Sequence, residues 1–125
     1  MVKKRILIVD DEPAVTRGLK LNLESTSAYA VREEHKGARA LAAAREFKPD
    51  LILLDVIMPD VDGGDVASQI RADENLKHTP IVFLTAAVSK EEVNTQGGLI
   101  GGQPFLAKPV NVKEVIQCIR RHLGT

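Results

Sequence analysis

The chain has 125 residues, with 17 basic and 17 acidic side chains and therefore a formal net charge of zero at neutral pH. This length fits a single domain, residues 1–125, and the balanced charge gives no reason to expect a nucleic-acid or membrane surface. Aromatic residues make up only 3% of the chain, which argues against a stacking platform for single-stranded nucleic acid, and the one cysteine, Cys118, excludes an internal disulfide and is compatible with a cytoplasmic setting.

The first predicted elements are a buried strand, a helix and a weaker strand. Residues 5–9 contain a run of branched apolar residues typical of a buried parallel strand, and this run is too short for a signal peptide or a membrane helix. Pro13 suits the first position of a helix. Residues 28–32 form a short candidate strand that we expect at an edge of the sheet. Three apolar residues spaced four apart give the helix a buried face: Val15, Leu19 and Leu23.

The middle of the chain repeats this alternation twice. Residues 37–47 are rich in alanine and helical by propensity, and the apolar run 51–54 follows as a second strong strand. A turn-rich loop then leads to a third helix, whose face carries Val66 and Ile70. The apolar run 81–84 is the next predicted strand.

The last third of the chain contains a glycine-rich segment between two predicted helices. Ser89 with Glu92 three residues later matches a capping box, which predicts the start of the fourth helix. Residues 96–103 contain four glycines, so we expect that helix to be short and this segment to be mobile. Residues 105–107 form the fifth strand. The last helix has five apolar residues at helical spacing: Val112, Val115, Ile116, Ile119 and Leu123.

The predicted order alternates strand and helix throughout. This alternation predicts an α/β fold in which a doubly wound, five-stranded parallel sheet is covered by five helices on its two faces. We favour the strand order 2-1-3-4-5, because it places a switch point between the first and third strands. Ligands bind at such a point, just outside the carboxyl ends of the strands.

Four of the predicted strands end in side chains that can carry chemistry. They should meet at one edge of the sheet, because the carboxyl ends of parallel strands lie together. Three carboxylates within ~5 Å would repel one another by roughly 3 kcal/mol per pair at an effective dielectric of 20. A compensating cation is therefore expected, and Mg²⁺ prefers such oxygen ligands. The side chains concerned are Asp10, Asp11, Asp55, Thr85 and Lys108.

A carboxylate beside a divalent cation can also act as a nucleophile and form an aspartyl-phosphate. Asp55 is the best candidate, because it stands alone at the start of a loop, whereas Asp10 and Asp11 are better metal ligands. The ammonium of Lys108 and the hydroxyl of Thr85 can take the remaining phosphoryl oxygens.

At these positions the sequence resembles the receiver domain of bacterial two-component response regulators, which has a flavodoxin-like fold. The resemblance covers nearly the whole chain, and the motifs occur in the order of the family. These motifs are Asp10-Asp11, Asp55 in the segment from Leu53 to Gly63, Thr85-Ala86 and Lys108-Pro109. The sequence departs from the commonest pattern in two places: Gly101-Gly102 replaces a single glycine followed by alanine, and the preceding helix is expected to be shorter and rich in glycine. Both departures concern the output face formed by the fourth helix, fifth strand and last helix.

The resemblance implies a signalling switch in a phosphorelay and not an enzyme that acts on an external substrate. Asp55 would accept a phosphoryl group from a histidine kinase or a histidine phosphotransfer protein. Mg²⁺ would be bound by Asp11, Asp55 and the carbonyl of Ile57, with Asp10 assisting. The phosphorylated domain would then change its contacts with a downstream protein of unknown identity.

The resemblance also implies roles for residues at the ends of the last two predicted strands. Lys108 would pair with the phosphoryl group or with the carboxylate of Asp55, and the bond between Lys108 and Pro109 is often cis in this family. Thr85 would move to bond the phosphate, and Phe105 would act as the rotameric switch residue.

Two alternatives stay open at this stage. One is a pseudo-receiver that binds partners without phosphorylation. The other is a Mg²⁺-dependent phosphohydrolase with an aspartate nucleophile, although enzymes of the haloacid dehalogenase type place two aspartates two apart after the first strand, and here they are adjacent. The sequence fits both a single-domain regulator and part of a longer chain.

Overall fold

The computed structural model describes residues 2–95, 99–100 and 103–124, which form a central sheet with helices on both faces. The strands are β1 (Lys4–Val9), β2 (Tyr29–Glu34), β3 (Leu51–Asp55), β4 (Ile81–Thr85), β5 (Leu99–Ile100) and β6 (Gln103–Ala107). The helices are α1 (Pro13–Glu24), α2 (Ala40–Phe47), α3 (Gly63–Arg71), α4 (Lys90–Thr95) and α5 (Val112–Leu123). Within the described ranges, no helix is both long and apolar enough to cross a membrane.

The strand order is β2-β1-β3-β4-β6-β5, and all neighbouring pairs except the last are parallel. The predicted five-stranded parallel order 2-1-3-4-5 is therefore confirmed. The structure adds β5, a two-residue strand that pairs antiparallel with β6 at the sheet edge. The glycine-rich segment that we expected to be mobile lies partly outside the described residues, at 96–98 and 101–102.

Two apolar layers sandwich the sheet because successive residues of each strand point to opposite faces. On one face, Leu7 and Leu54 pack with α2 and α3; on the other, Ile8 and Leu53 pack with α1 and α5. Every residue of β3 is buried. Burial of each of the four apolar side chains of this strand, residues 51–54, contributes about 1.5–3 kcal/mol, so the centre of the sheet holds the strand ends firmly in place.

The helices largely follow the sequence pattern. Pro13 begins α1, and Leu19 and Leu23 on its inner face are buried. The predicted helix over residues 37–47 is divided into a short 3-10 turn, Gly37–Arg39, and α2. The helix α4 is short, as expected from the glycines that follow it.

The capping box before α4 is confirmed. The backbone N–H of Glu92 donates to the hydroxyl of Ser89 at 3.0 Å, and the backbone N–H of Ser89 donates to the Glu92 carboxylate at 3.4 Å.

The bounds of the strand β2 differ from the prediction at both ends. It lies at the sheet edge, as expected, but it covers Tyr29–Glu34 and so extends past residue 32. Pairing with β1 continues through Ile8 with Glu33 and Val9 with Glu34. An edge strand has a neighbour on one side only, so its last residues can pair with β1 and still be polar. The prediction placed the end of β2 too early because it followed the apolar residues alone.

Candidate functional site

Three carboxylates lie together where β1 and β3 end. Asp10, Asp11 and Asp55 each offer an oxygen atom within 4.8 Å of the others. Asp10 is fully buried and Asp55 is 4% exposed, while Asp11 is half-buried. The parallel register that pairs Val9 with Leu54 brings the two strand ends level, which explains why residues 45 positions apart converge. The predicted convergence of the three aspartates is confirmed.

Lys108 completes the cluster from the end of β6. Its Nζ lies 2.7 Å from Asp10 Oδ2, 3.0 Å from Glu12 Oε1 and 3.5 Å from Asp55 Oδ2, and its side chain is only 12% exposed. Burial works to lower the pKa of Lys108, but the contacts with Asp10 and Glu12 outweigh it and raise that pKa. The side chain is therefore a fixed positive charge that offsets part of the carboxylate repulsion. The peptide bond between Lys108 and Pro109 is cis, as the resemblance implied.

Asp55 has an electrostatic environment that favours its protonated form. Burial raises the pKa of this carboxyl, the nearby charge of Asp10 raises it further, and Lys108 opposes both, so that the pKa is about 6. The Oδ1 atom accepts a hydrogen bond from the backbone N–H of Ile57 at 3.3 Å. In the absence of a bound cation, the ionised side chain of Asp55 therefore costs folding free energy.

This shift gives a testable dependence of stability on pH. The pKa of Asp55 is about 6 in the folded protein and 3.8 ordinarily, so the folded state binds the proton first. The free energy of unfolding of the metal-free protein should therefore increase, through this residue, as the pH falls through about 6 toward about 4. Denaturant unfolding at a series of pH values, in chelator, measures it.

Asp55→Asn is the control for that experiment, because the variant has no carboxyl to titrate and should lack the increase. Glu33 and Asp73 have lowered pKa values, from a hydrogen bond to Thr16 and one to Arg45 respectively, so their stabilisation is lost only at lower pH. Identical profiles for the wild type and the variant would contradict the assigned environment of Asp55.

Thr85 ends β4 beside this cluster and is 3% exposed. Its hydroxyl oxygen accepts a hydrogen bond from the backbone N–H of Ala87 at 3.0 Å, and its carbonyl accepts one from the backbone N–H of Lys108 at 2.9 Å. No acceptor for the hydroxyl hydrogen is found among the described residues, so this hydrogen can bond to a further acceptor. Thr85 and Lys108 are tied to each other as well as to the sheet edge.

Phe105 lies further back on β6 and is half-buried. Its ring packs on that of Phe83, with the ring centroids 5.2 Å apart and the planes tilted by 31°. Ile57 lies in the loop after β3, and its side chain is exposed. All the candidate site residues predicted from the sequence therefore lie at or near the carboxyl ends of the parallel strands.

Sequence reasoning missed two residues of the site. Glu12 reaches Lys108 across 96 positions of the chain, so no local pattern could reveal the contact. Gly63 begins α3 directly against the backbone of Asp55 and Val56, and its N–H donates to the Val56 carbonyl at 2.8 Å. A glycine after a turn-rich loop was visible in the sequence, but the close approach of the backbone was not.

The donor set fits a hard divalent cation such as Mg²⁺. All the candidate ligands are oxygen atoms, and in the described part of the chain the three carboxylates have one ammonium recorded beside them, that of Lys108, which also contacts Glu12. Asp10 Oδ2 is buried and has no hydrogen-bond partner within the described part of the chain, although it lies close to Lys108 Nζ. Such an oxygen atom gains from a cation, because an ionised group that is buried and incompletely paired is costly.

The fold, together with the acidic cluster and the lysine at the carboxyl ends of its strands, defines a signalling domain that accepts phosphoryl groups. The sequence matches the family described as the response regulator receiver domain over residues 6–120, and the chain belongs to that family. Receiver domains are phosphoacceptor switches of two-component signalling and not classical enzymes. The phosphohydrolase alternative is accordingly set aside.

Named relatives extend the comparison. The chain is 37% identical over 116 residues to the DNA-binding dual master transcriptional regulator RpaA of Synechocystis, covering 93% of this chain but 47% of that protein. It is 36% identical over 123 residues to the polar-differentiation response regulator DivK of Brucella ovis, covering 97% of each. The chain thus spans about half of the first relative and nearly all of the second.

Solved structures agree with this assignment. The chemotaxis response regulator CheY4 of Vibrio cholerae superposes with a TM-score of 0.80 at 29% identity, covering 97% of this chain and 99% of the other. The receiver domain of sensor histidine kinase PA1611 of Pseudomonas aeruginosa has a TM-score of 0.80 at 30% identity, covering 99% and 100%. That structure has a magnesium ion coordinated in its active site cleft.

Proposed function

We propose that Asp55 is the phosphoacceptor of this receiver domain and that the donor is a histidine kinase or a histidine phosphotransfer protein. The observation that carries the proposal is the position of the Asp55 carboxylate, which is almost buried yet borders two further aspartates and the Lys108 ammonium. Asp10 has similar neighbours but is fully buried, whereas Asp55 is slightly exposed and stands at the end of β3, where the loop to α3 begins.

The transfer is a displacement at phosphorus. A carboxylate oxygen of Asp55 forms a bond to phosphorus while the bond from phosphorus to the donor's imidazole nitrogen breaks, and the electron pair stays on that nitrogen, which is then protonated. Asp55 must be ionised to attack, and this requires that its neighbours be compensated. Lys108 supplies one positive charge that binds a phosphoryl oxygen, and the hydroxyl of Thr85 donates to another.

Mg²⁺ fits the carboxylate side of the pocket. We propose that Asp11, Asp55 and the carbonyl of Ile57 hold it, with Asp10 assisting. When bound, the ion neutralises phosphoryl oxygens and lowers the pKa of Asp55, which keeps the nucleophile ionised. The same residues would support hydrolysis of the aspartyl-phosphate by water, so we propose that the domain also assists its own phosphorylation and dephosphorylation.

Phosphorylation then shifts a conformational equilibrium. It replaces a carboxylate by a group that carries nearly two negative charges and three strong acceptor oxygens. We propose that Thr85 turns its hydroxyl toward the phosphate. We also propose that the side chain of Phe105 changes rotamer when Thr85 moves. Moving such an equilibrium from mostly inactive to mostly active takes about 5.5 kcal/mol of differential stabilisation, which the new contacts must supply.

The output of the switch is proposed to be a change of protein contacts. The DNA-binding description of RpaA belongs to a protein of which this chain covers 47%, so it is not carried over to the receiver domain. The net charge of zero gives no support for nucleic-acid binding through this domain.

The function is tested by incubating the protein with acetyl phosphate and Mg²⁺ and measuring the intact mass. We expect the wild type and the control Asp65→Asn, which changes an exposed acid at the start of α3, to gain one labile phosphoryl group, and Asp55→Ala to gain none. Lack of any gain in the wild type would favour the pseudo-receiver, and continuous turnover of phosphoesters would favour the hydrolase.

A further inference from the structure

Glu12 is the one acidic residue in contact with Lys108, among the residues that the structure describes, that the proposed chemistry does not use. It precedes α1, and its backbone is fixed on both sides: its N–H donates to Asp10 Oδ1 at 2.9 Å, and its carbonyl accepts from the N–H of Val15 at 3.0 Å. Its side chain is 59% exposed, yet its Oε1 lies 3.0 Å from Lys108 Nζ. The turn that carries the metal-site aspartates therefore also places a carboxylate at the mouth of the pocket.

The contacts of Lys108 differ in geometry as well as in distance. Within the described residues, the side chain of Lys108 donates a hydrogen bond of regular geometry to Glu12, whereas Asp10 Oδ2, although 2.7 Å away, has no such bond. The carboxylate of Asp55 is the most distant of the three, at 3.5 Å. The ammonium is therefore shared between the buried carboxylate of Asp10, which lies nearest to it, and the exposed carboxylate of Glu12 in the unphosphorylated protein.

Resting on the proposed function, we propose that Glu12 is a positioning residue that competes with the phosphoryl group of Asp55 for the ammonium of Lys108. The ammonium has three hydrogens and must share its charge among every anion around it. While Glu12 holds part of that charge, less is available to a phosphoryl oxygen on Asp55. The Glu12 carboxylate also adds a negative charge close to the position where the phosphoryl charge arrives. Both effects oppose the phosphorylated state.

The test compares Glu12→Gln with the wild type in binding beryllofluoride, an analogue of the phosphoryl group, at saturating Mg²⁺. Glutamine keeps the size of the side chain and removes the charge. Because Glu12 is exposed, its pair with Lys108 is screened by solvent and has only a small effect, so we expect Glu12→Gln to bind beryllofluoride about threefold tighter. The chain has no tryptophan, so the backbone amide resonance of Ala87, which bonds to Thr85, serves as the probe.

Asp65→Asn is the matched control, because it removes the same charge from the exposed first turn of α3, and Asp65 makes no contact with Lys108 among the described residues. It should change the affinity far less than Glu12→Gln does. Titration with Mg²⁺ alone separates this effect from damage to the metal site, since a merely structural loss would weaken both ligands.

Unchanged or weaker binding of beryllofluoride by Glu12→Gln, or an equal change in Asp65→Asn, would overturn the positioning role. A wild type that fails to bind beryllofluoride would refute the proposed function itself, which keeps the two failures distinguishable.

Discussion

Alanine in place of Gly63 should destabilise the domain by about 2–3 kcal/mol, because the added methyl group has no space. A Cβ at this position would lie 2.8 Å from the Val56 Cα and 3.0 Å from its carbonyl oxygen, and it would also press on the carbonyl of Asp55. These are backbone atoms of the segment that carries Asp55, the proposed phosphoacceptor, so relief of the contact must displace either this segment or the start of α3. Denaturant unfolding measures the loss, and the phosphorylation yield should fall with it.

Gly18→Ala is the matched control for this substitution. Gly18 lies inside α1, and a Cβ there would meet nothing within 4 Å. Alanine in a helix interior is favoured over glycine by roughly 0.5–1 kcal/mol, so this variant should be more stable than the wild type. If Gly63→Ala were as stable as Gly18→Ala, the close packing of α3 against the end of β3 would be disproved.

Methionine in place of Lys108 should destabilise the metal-free protein by about 3 kcal/mol. Asp10 is fully buried, and its Oδ2 lies 2.7 Å from the Lys108 ammonium, so the substitution leaves a buried carboxylate without its counter-charge. Saturating Mg²⁺ should recover part of the loss, because the cation replaces the missing positive charge. Unfolding in chelator and in Mg²⁺ provides the two values.

Lys90→Met isolates the effect of burial in that comparison. Lys90 pairs with Glu114 at 2.8 Å, a distance close to that of the Lys108–Asp10 pair. In contrast to Asp10, both side chains of the Lys90–Glu114 pair are partly exposed. An exposed pair contributes about 0–1 kcal/mol, so this variant should lose little stability and should not respond to Mg²⁺. Equal losses in the two variants would show that the pocket around Asp10 is far more hydrated than the structure indicates.

The sequence was sufficient for the parallel sheet and for most of the site, because both depend on local signals. The runs before Asp10, Asp55 and Thr85 are branched and apolar, as strands buried on two faces must be. Each run is followed directly by a polar residue. Parallel pairing brings these strand ends together independently of the conformation of the loops that follow them. The order of the strands followed from the need to place Asp55 beside Asp10.

The features that escaped prediction depend on contacts between distant segments. The contact between Glu12 and Lys108 joins residues that are 96 positions apart, so it produces no periodic pattern in the sequence. The strand β5 is only two residues long, which is too short for an alternating pattern. The end of β2 at Glu34 is set by its pairing with Val9 and not by its own apolar content.

The central claim is that one carboxylate, that of Asp55, takes the phosphoryl group. The most direct test is reduction of the protein with borohydride after treatment with acetyl phosphate and Mg²⁺, because hydride converts an aspartyl-phosphate into homoserine with loss of phosphate. Peptide mass mapping should then find homoserine at position 55 and aspartate at positions 10 and 11. Homoserine at Asp10 or Asp11, or its absence from a protein that gained a phosphoryl group, would contradict the assignment.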